Sequence, residues 1–245
     1  MKLSIVIPVL DSHEILRRQF LHWERMGMPD DTELIIVDDG SDPPLEYNGS
    51  LPVTIIKTND KRPWTWALAR NAGVRIATGE YVCMYDLDHI MPKESLDVCR
   101  NFNGDKVYFK RSFGILTEDG KISQDIDTLI KYGLPEKKRN RSLRFGSLPN
   151  NICLKREVFW EMGGYREDKI GRPYPQGEDR SFKKSWGIWT RKQDREIITE
   201  GTPLYMFPNG YFCGGDVDYN PFNLFHKLSR ASRRNHLYRK QKERK

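Results

Sequence analysis

The sequence predicts an α/β fold, a mostly parallel sheet flanked by helices, and three observations lead to it. Short apolar, β-branched runs recur at residues 3–9, 33–37, 53–57 and 81–85, and runs of that length between turn residues read as buried strands. Segments with apolar residues at helical spacing separate the first run from the second and the third from the fourth, the rhythm of strands joined by crossovers. Three of the runs also stop on carboxylates: Asp11 after the first, Asp38-Asp39 after the second, Asp86 and Asp88 after the fourth. In open α/β sheets the carboxyl edge of the strands is where ligands bind.

Each element follows from local signals. Residues 3–9 form a strand containing Pro8, and Asp11-Ser12 can cap a helix whose apolar face is Ile15, Leu16, Phe20, Leu21 and Trp23. Gly27 and Pro29 end it. The strand at 33–37 runs into Asp38-Asp39-Gly40-Ser41, where the glycine permits a tight turn. After the strand at 53–57, residues 66–77 read as a helix with Ala67, Leu68, Ala72 and Ile76 on its apolar face and Arg70-Asn71 on another. Residues 79–88 then form the strand that carries Asp86 and Asp88. Beyond Pro92 the expected elements are a helix at 93–102, a strand at 106–113, a hairpin turn at 117–121, a short helix at 125–134 and a basic loop at 135–147. A strand at 151–155, a helix at 157–162, a loop at 165–177, a helix at 178–186 and an aromatic strand at 202–213 complete the pattern. Residues 221–245 read as a basic helix or tail.

Hydrophobic residues make up 38% of 245, with six tryptophans, enough for a packed core and against global disorder. No apolar run approaches the roughly 20 residues of a membrane span, and the N-terminus reads as a first strand and not as a signal peptide. Cys83, Cys99, Cys153 and Cys213 show no CxxC spacing, which argues against a zinc site and fits a reducing compartment. The expected location is cytoplasmic. The net charge of +7 is uneven, with nine Lys/Arg against one Glu from His226 to Lys245 and a second basic run, Lys137-Lys138-Arg139-Asn140-Arg141. Such clusters suit nucleic acid, anionic lipid or a nucleotide diphosphate, or are simply a solvated face and a frayed tail.

Asp86 and Asp88, one residue apart on an extended segment, place two carboxylates on the same side. That oxygen-rich pair suits Mg²⁺ or Mn²⁺, ions commonly shared with substrate phosphates. Arg70, one helix earlier, can pair with phosphate. Glu178-Asp179 open a helix where the dipole favours acids.

Four stretches occur in order: SIVIPVLD, IIVDDGSD, ARNAGVRIATGEYVCMYDLD, and GGYRED followed by GEDRSF. Their succession resembles the family 2 glycosyltransferases of the GT-A fold, over about residues 1–190. The resemblance implies a GT-A type, Rossmann-like sheet with a small antiparallel part on the acceptor side. Residues 1–220 would form one domain, with 1–100 the nucleotide-sugar half and 101–220 the acceptor half. It also implies inverting, metal-dependent transfer of one sugar from a nucleotide-diphosphate sugar, a UDP-sugar first, to a glycan or lipid-linked glycan. By the same resemblance Asp39 holds the base, Pro8, Asp11 and Asp38 border its pocket, and Arg70 lines the donor site. Asp86, Leu87 and Asp88 are the DxD motif that holds Mn²⁺ or Mg²⁺ with the donor. His226, or else His236, is the candidate third metal ligand. Asp179 is the catalytic base with Glu178 beside it, and Gly163-Gly164-Tyr165 and the rings of Trp186 and Trp189 belong to the acceptor side.

The segment 61–66, with Pro63 between bulky residues, departs from the Gly-rich stretch usual there. The QxxRW motif of processive synthases is absent. The basic C-terminus leaves peripheral membrane or nucleic-acid contact open. So do two further readings, a glycosyltransferase acting on a modified nucleic-acid base and a catalytically lapsed GT-A nucleic-acid-binding module.

Overall fold

The computed structural model describes residues 2–60, 62, 65–147, 151–170, 178–193 and 198–208. Four parallel strands form one half of the main sheet: β1 (Leu3–Val9), β2 (Thr32–Asp38), β3 (Val53–Lys57) and β4 (Tyr81–Met84), in the order β3-β2-β1-β4. Helices α1 (His13–Met26) and α2 (Trp66–Ile76) make the crossovers, so all four strands end at one edge. Pro8 lies past Val6↔Met84, the last β1–β4 pair. On that side β1 is there an edge strand, where a missing N–H costs least.

The chain continues through β5 (His89–Ile90), α3 (Lys93–Asn101), β6 (Lys106–Phe113) and a hairpin of β7 (Ile115–Leu116) and β8 (Ile122–Ser123). Next come α4 (Ile126–Lys131), β9 (Arg144–Phe145), β10 (Ile152–Lys155), α5 (Arg156–Glu161), α6 (Glu178–Gln193) and β11 (Ile198–Met206). β10 inserts between β4 and β6 antiparallel to both, and β11 lies parallel to β6 with β5 antiparallel beyond it. The predicted class holds: a mostly parallel sheet, flanked by helices, with an antiparallel part beyond β4.

Successive strand residues face opposite layers. Leu3, Ile5, Ile7 and Val9 pack with Ile15, Leu16, Phe20 and Trp23 of α1. Val6, Ile35 and Val37 pack with Ala67, Ala69 and Val74 of α2 and with Phe159, Phe182 and Trp186 of α5 and α6.

Several expectations need correction. Ser12 does not cap α1 with its side chain; its hydroxyl donates to the Leu10 carbonyl at 2.9 Å. Of the apolar face predicted for α2, Ala67 is buried but Leu68 and Ala72 are only partly so and Ile76 is exposed, and the buried face is completed by Ala69, Arg70, Asn71, Gly73 and Val74. Arg70 and Asn71 can be buried because each has partners there, given below. The predicted strand 79–88 stops at Met84, and Asp86–Asp88 form a turn closed by the His89 N–H on the Asp86 carbonyl at 2.9 Å. The basic stretch 135–147 contains a helical turn, Glu136–Lys138, and strand β9. Helix α6 runs on to Gln193, and β11 begins at Ile198, earlier than expected. His226, His236 and the tail 221–245 lie outside the described residues.

Cys83, Cys99 and Cys153, distant in sequence, are all buried free thiols. Cys83 and Cys153 sit opposite one another on β4 and β10. Among the described residues no helix is long and apolar enough to cross a membrane.

Candidate active site

The ends of β1, β2 and β4 deliver sequence-predicted acids to one edge. Asp38 closes the loop after β2, accepting the Ser41 N–H at 2.7 Å and the Leu45 N–H at 3.1 Å. Asp11, at φ 51°, accepts the Asp42 N–H at 2.8 Å. These two aspartates therefore shape the loop. Asp39 instead meets side chains, accepting the Thr58 hydroxyl at 2.9 Å and the hydroxyl of Thr65, the residue that precedes α2. It is the acid of the three that faces groups able to rotate away.

At the end of β4, Asp86 and Asp88 project on the same side while Leu87, between them, is buried in the core. Arg70 Nη2 donates to Asp86 Oδ1 at 2.5 Å, and His89 Nδ1 lies 2.7 Å from Asp88 Oδ1. Asp86, Asp88 and His89 are, among the described residues, the one group that brings metal-ligating atoms within 4.8 Å of one another. The fit to a hard divalent cation is good: carboxylate oxygens predominate and neither aspartate is consumed by the core.

Sequence reasoning missed the groups that hold this turn. Gln19 of α1 donates from Nε2 to the carbonyls of Leu87 at 3.1 Å and His89 at 2.5 Å, and its Oε1 accepts the Tyr85 hydroxyl at 2.9 Å. Asn151, just before β10, accepts the Asp86 N–H at 3.0 Å. Buried polar groups are bonded groups, so Gln19, a polar residue amid the apolar positions of α1, is itself a signal.

The guanidinium of Arg70, 4% exposed, joins the two ends of the site. Besides Asp86 it approaches Glu178 Oε1 at 4.0 Å and lies over the Tyr165 ring at 5.3 Å. Among the described residues, Nε and Nη1 have no hydrogen-bond partner. Asn71 Oδ1 accepts the Tyr165 N–H at 2.9 Å, and Asn71 Nδ2 donates to the Tyr165 carbonyl at 2.8 Å and to Glu167 at 2.7 Å. A Cβ on Gly164, at φ +62°, would come within 2.9 Å of Asn71 Oδ1, so only glycine lets the turn dock on α2. Tyr165 is thereby stacked on Phe182 at 4.3 Å. Trp186, predicted to line an acceptor subsite, is 6% exposed, packed on Trp189 at 5.4 Å with the Lys106 ammonium 4.5 Å from its ring. In this structure its ring is core, and so is that of Trp189.

Glu178 and Asp179 open α6. Burial, and then the charge of Asp179, push the Glu178 carboxyl up to about 7 against the opposing pull of Arg70. The fold thus favours protonated Glu178 relative to the unfolded chain. Its contribution to stability is complete below pH 4.5 and is lost as pH rises through about 7. Glu178→Gln is expected to gain melting temperature on the wild type as pH is raised from about 5 to 8. Parallel melting curves against pH would show that Glu178 is not buried as drawn.

A model of the family described as Glycosyl transferase family 2 matches residues 4–162. The chain belongs to this family. An uncharacterised glycosyltransferase of Rickettsia conorii is 22% identical over 87% of this chain, and one of Rickettsia felis shows the same identity and coverage. The chain spans about a third of the length of these relatives, 35% and 36%. A structure of S. aureus TarS 1-349 superposes with a TM-score of 0.56 at 14% identity, over 93% of this chain and 68% of that one. The mannosyltransferase PcManGT of Pyrobaculum calidifontis, in complex with GDP-Man and Mn²⁺, gives 0.50 at 16%, over 82% and 56%. These glycosyltransferases share the fold, and the family match ends at residue 162, before Glu178 and Asp179.

Proposed function

We propose that the chain is a metal-dependent, inverting glycosyltransferase. It moves one sugar from a nucleotide-diphosphate sugar, UDP-linked, to a hydroxyl of a glycan or lipid-linked glycan. The observation that carries this reading is the pairing of Asp86 and Asp88 at the strand edge with Glu178 and Asp179 across one buried guanidinium. Mn²⁺ or Mg²⁺ would be held by Asp86 and Asp88; when bound, the ion neutralises charge on the leaving diphosphate. Asp39 accepts the base N–H, with Pro8, Asp11 and Asp38 forming the rim. Asp179 takes the proton from the attacking hydroxyl. Glu178 hydrogen-bonds the bound sugar. The turn at Gly164 and Tyr165 closes the acceptor side. The related TarS has been solved with UDP-GlcNAc and PcManGT with GDP-Man and Mn²⁺, which support a nucleotide-sugar donor and a metal here. A cytoplasmic location with peripheral contact at the membrane through the basic residues completes the reading.

Thermal shift tests it. UDP at 100 times its Kd with Mn²⁺ is expected to stabilise by about 2.7 kcal/mol, roughly 5–10 °C for a domain of this size. Asp88→Ala is expected to abolish the shift. A shift with GDP in place of UDP would keep the mechanism and change the donor. No shift with any nucleotide, together with tight DNA binding, would favour a lapsed nucleic-acid-binding module.

A further inference from the structure

Both aspartates of the metal motif are held in the same way. Each has Oδ1 occupied by a buried nitrogen, Arg70 Nη2 on Asp86 and His89 Nδ1 on Asp88, while Oδ2 of each has no partner among the described residues. A carboxylate only accepts, so Nδ1 of His89 carries the hydrogen. The ring is buried, and the backbone that carries it is held on three sides. The His89 N–H is tied to the Asp86 carbonyl at 2.9 Å, its carbonyl accepts Gln19, and its backbone pairs with Met206 of β11. Arg70 is equally fixed, closed in by the Tyr165 ring and by Glu178.

We propose that His89 and Arg70 are positioning residues that hold one oxygen of Asp88 and of Asp86 so that the other is presented to the metal. The inference rests on the reading of Asp86 and Asp88 as metal ligands. A ligand that is already oriented loses little freedom when the ion arrives, and partners of this kind commonly contribute 10–100-fold in metal affinity. His89 in this role explains why an imidazole lies so close to the motif without facing solvent. Arg70 in this role explains a guanidinium too buried to travel to a phosphate. Its unspent Nη1 lies toward Glu178, so the same side chain registers the metal motif against the acidic pair.

The test is Mn²⁺ affinity, read from the electron paramagnetic resonance of the free ion with and without UDP. His89→Asn places an amide N–H where Nδ1 stood, whereas His89→Gln places it where Nε2 stood. The Asn variant is expected to bind Mn²⁺ within about threefold of the wild type, and the Gln variant and Arg70→Lys to bind roughly 10–100-fold more weakly. Circular dichroism without metal checks that each is folded. Equal affinities in the Asn and Gln variants would overturn the proposal for His89. Wild-type affinity in Arg70→Lys would overturn it for Arg70. A directly bound nitrogen in the spin-echo modulation of the wild type that disappears in His89→Asn would make His89 a ligand and overturn the positioning role. Asp88→Ala separates the two levels. If it leaves Mn²⁺ binding intact, the metal-site reading itself fails; if it abolishes binding while the His89 and Arg70 variants bind normally, only this inference does.

Discussion

Asp179→Asn is expected to lower sugar transfer about 10³-fold, the middle of the 10²–10⁴ range that a positioned general base contributes. The substitution keeps the shape of the side chain and its place in the first turn of α6 while removing the group that accepts the proton. In the proposed reading Glu178 serves the bound sugar and not the attacking hydroxyl, so it does not take over this role. The loss should therefore fall on kcat, with UDP and Mn²⁺ still raising the melting temperature as in the wild type. Transfer retained at more than a tenth of the wild-type rate would move the base elsewhere.

Gly73→Val should cost about 3 kcal/mol or more of stability, beyond the usual penalty for overpacking a core. A Cβ at Gly73 would lie 2.3 Å from Val6 Cγ1 and 3.0 Å from Val37 Cγ2, and both valines belong to the packed central strands. Neither can retreat without moving β1 or β2. Because α2 carries Arg70 and Asn71, lifting the helix also draws Arg70 from Asp86 and Asn71 from the Gly164 turn. Gly187, within α6, is the control. Nothing lies within 4 Å of its added Cβ, so Gly187→Ala should gain about 0.5–1 kcal/mol from helix propensity alone. Urea denaturation of the two variants would read both effects, and Gly73→Val as stable as the wild type would show that α2 does not sit against β1 as described.

The first four strands and the helices between them were legible because their signals are local: β-branched runs, turn glycines, apolar spacing. The orientation of α2 was not. Periodicity assigned Arg70 and Asn71 to a polar face, and only partners distant in sequence, Asp86, Tyr165 and Glu167, make that face the buried one. The same reason hid Gln19 and Asn151, whose role is to satisfy backbone groups of the Asp86–Asp88 turn. Short strands such as β5 and β9 exist through pairing alone and leave no pattern of their own. The rings of Trp186 and Trp189 illustrate the converse. Aromatic residues close in sequence to an acidic motif suggested a sugar platform, yet the helix turns them into the core.

The insertion of β10 between β4 and β6 has an evolutionary consequence. Met84 and Ile152 are sheet neighbours, and so are Phe113 and Met206, which lie in one row with His89. Long connections therefore leave and re-enter the sheet beside the Asp86–Asp88 turn. Closing a flexible loop costs only about 0.6 kcal/mol more for each doubling of its length. Extra residues in the exposed part of the connection from β6 to β10, such as 139–142, would thus cost little while β1–β4 keep their register. Under the proposed function, such a change could alter the acceptor side without rebuilding the strand ends that carry Asp39, Asp86 and Asp88.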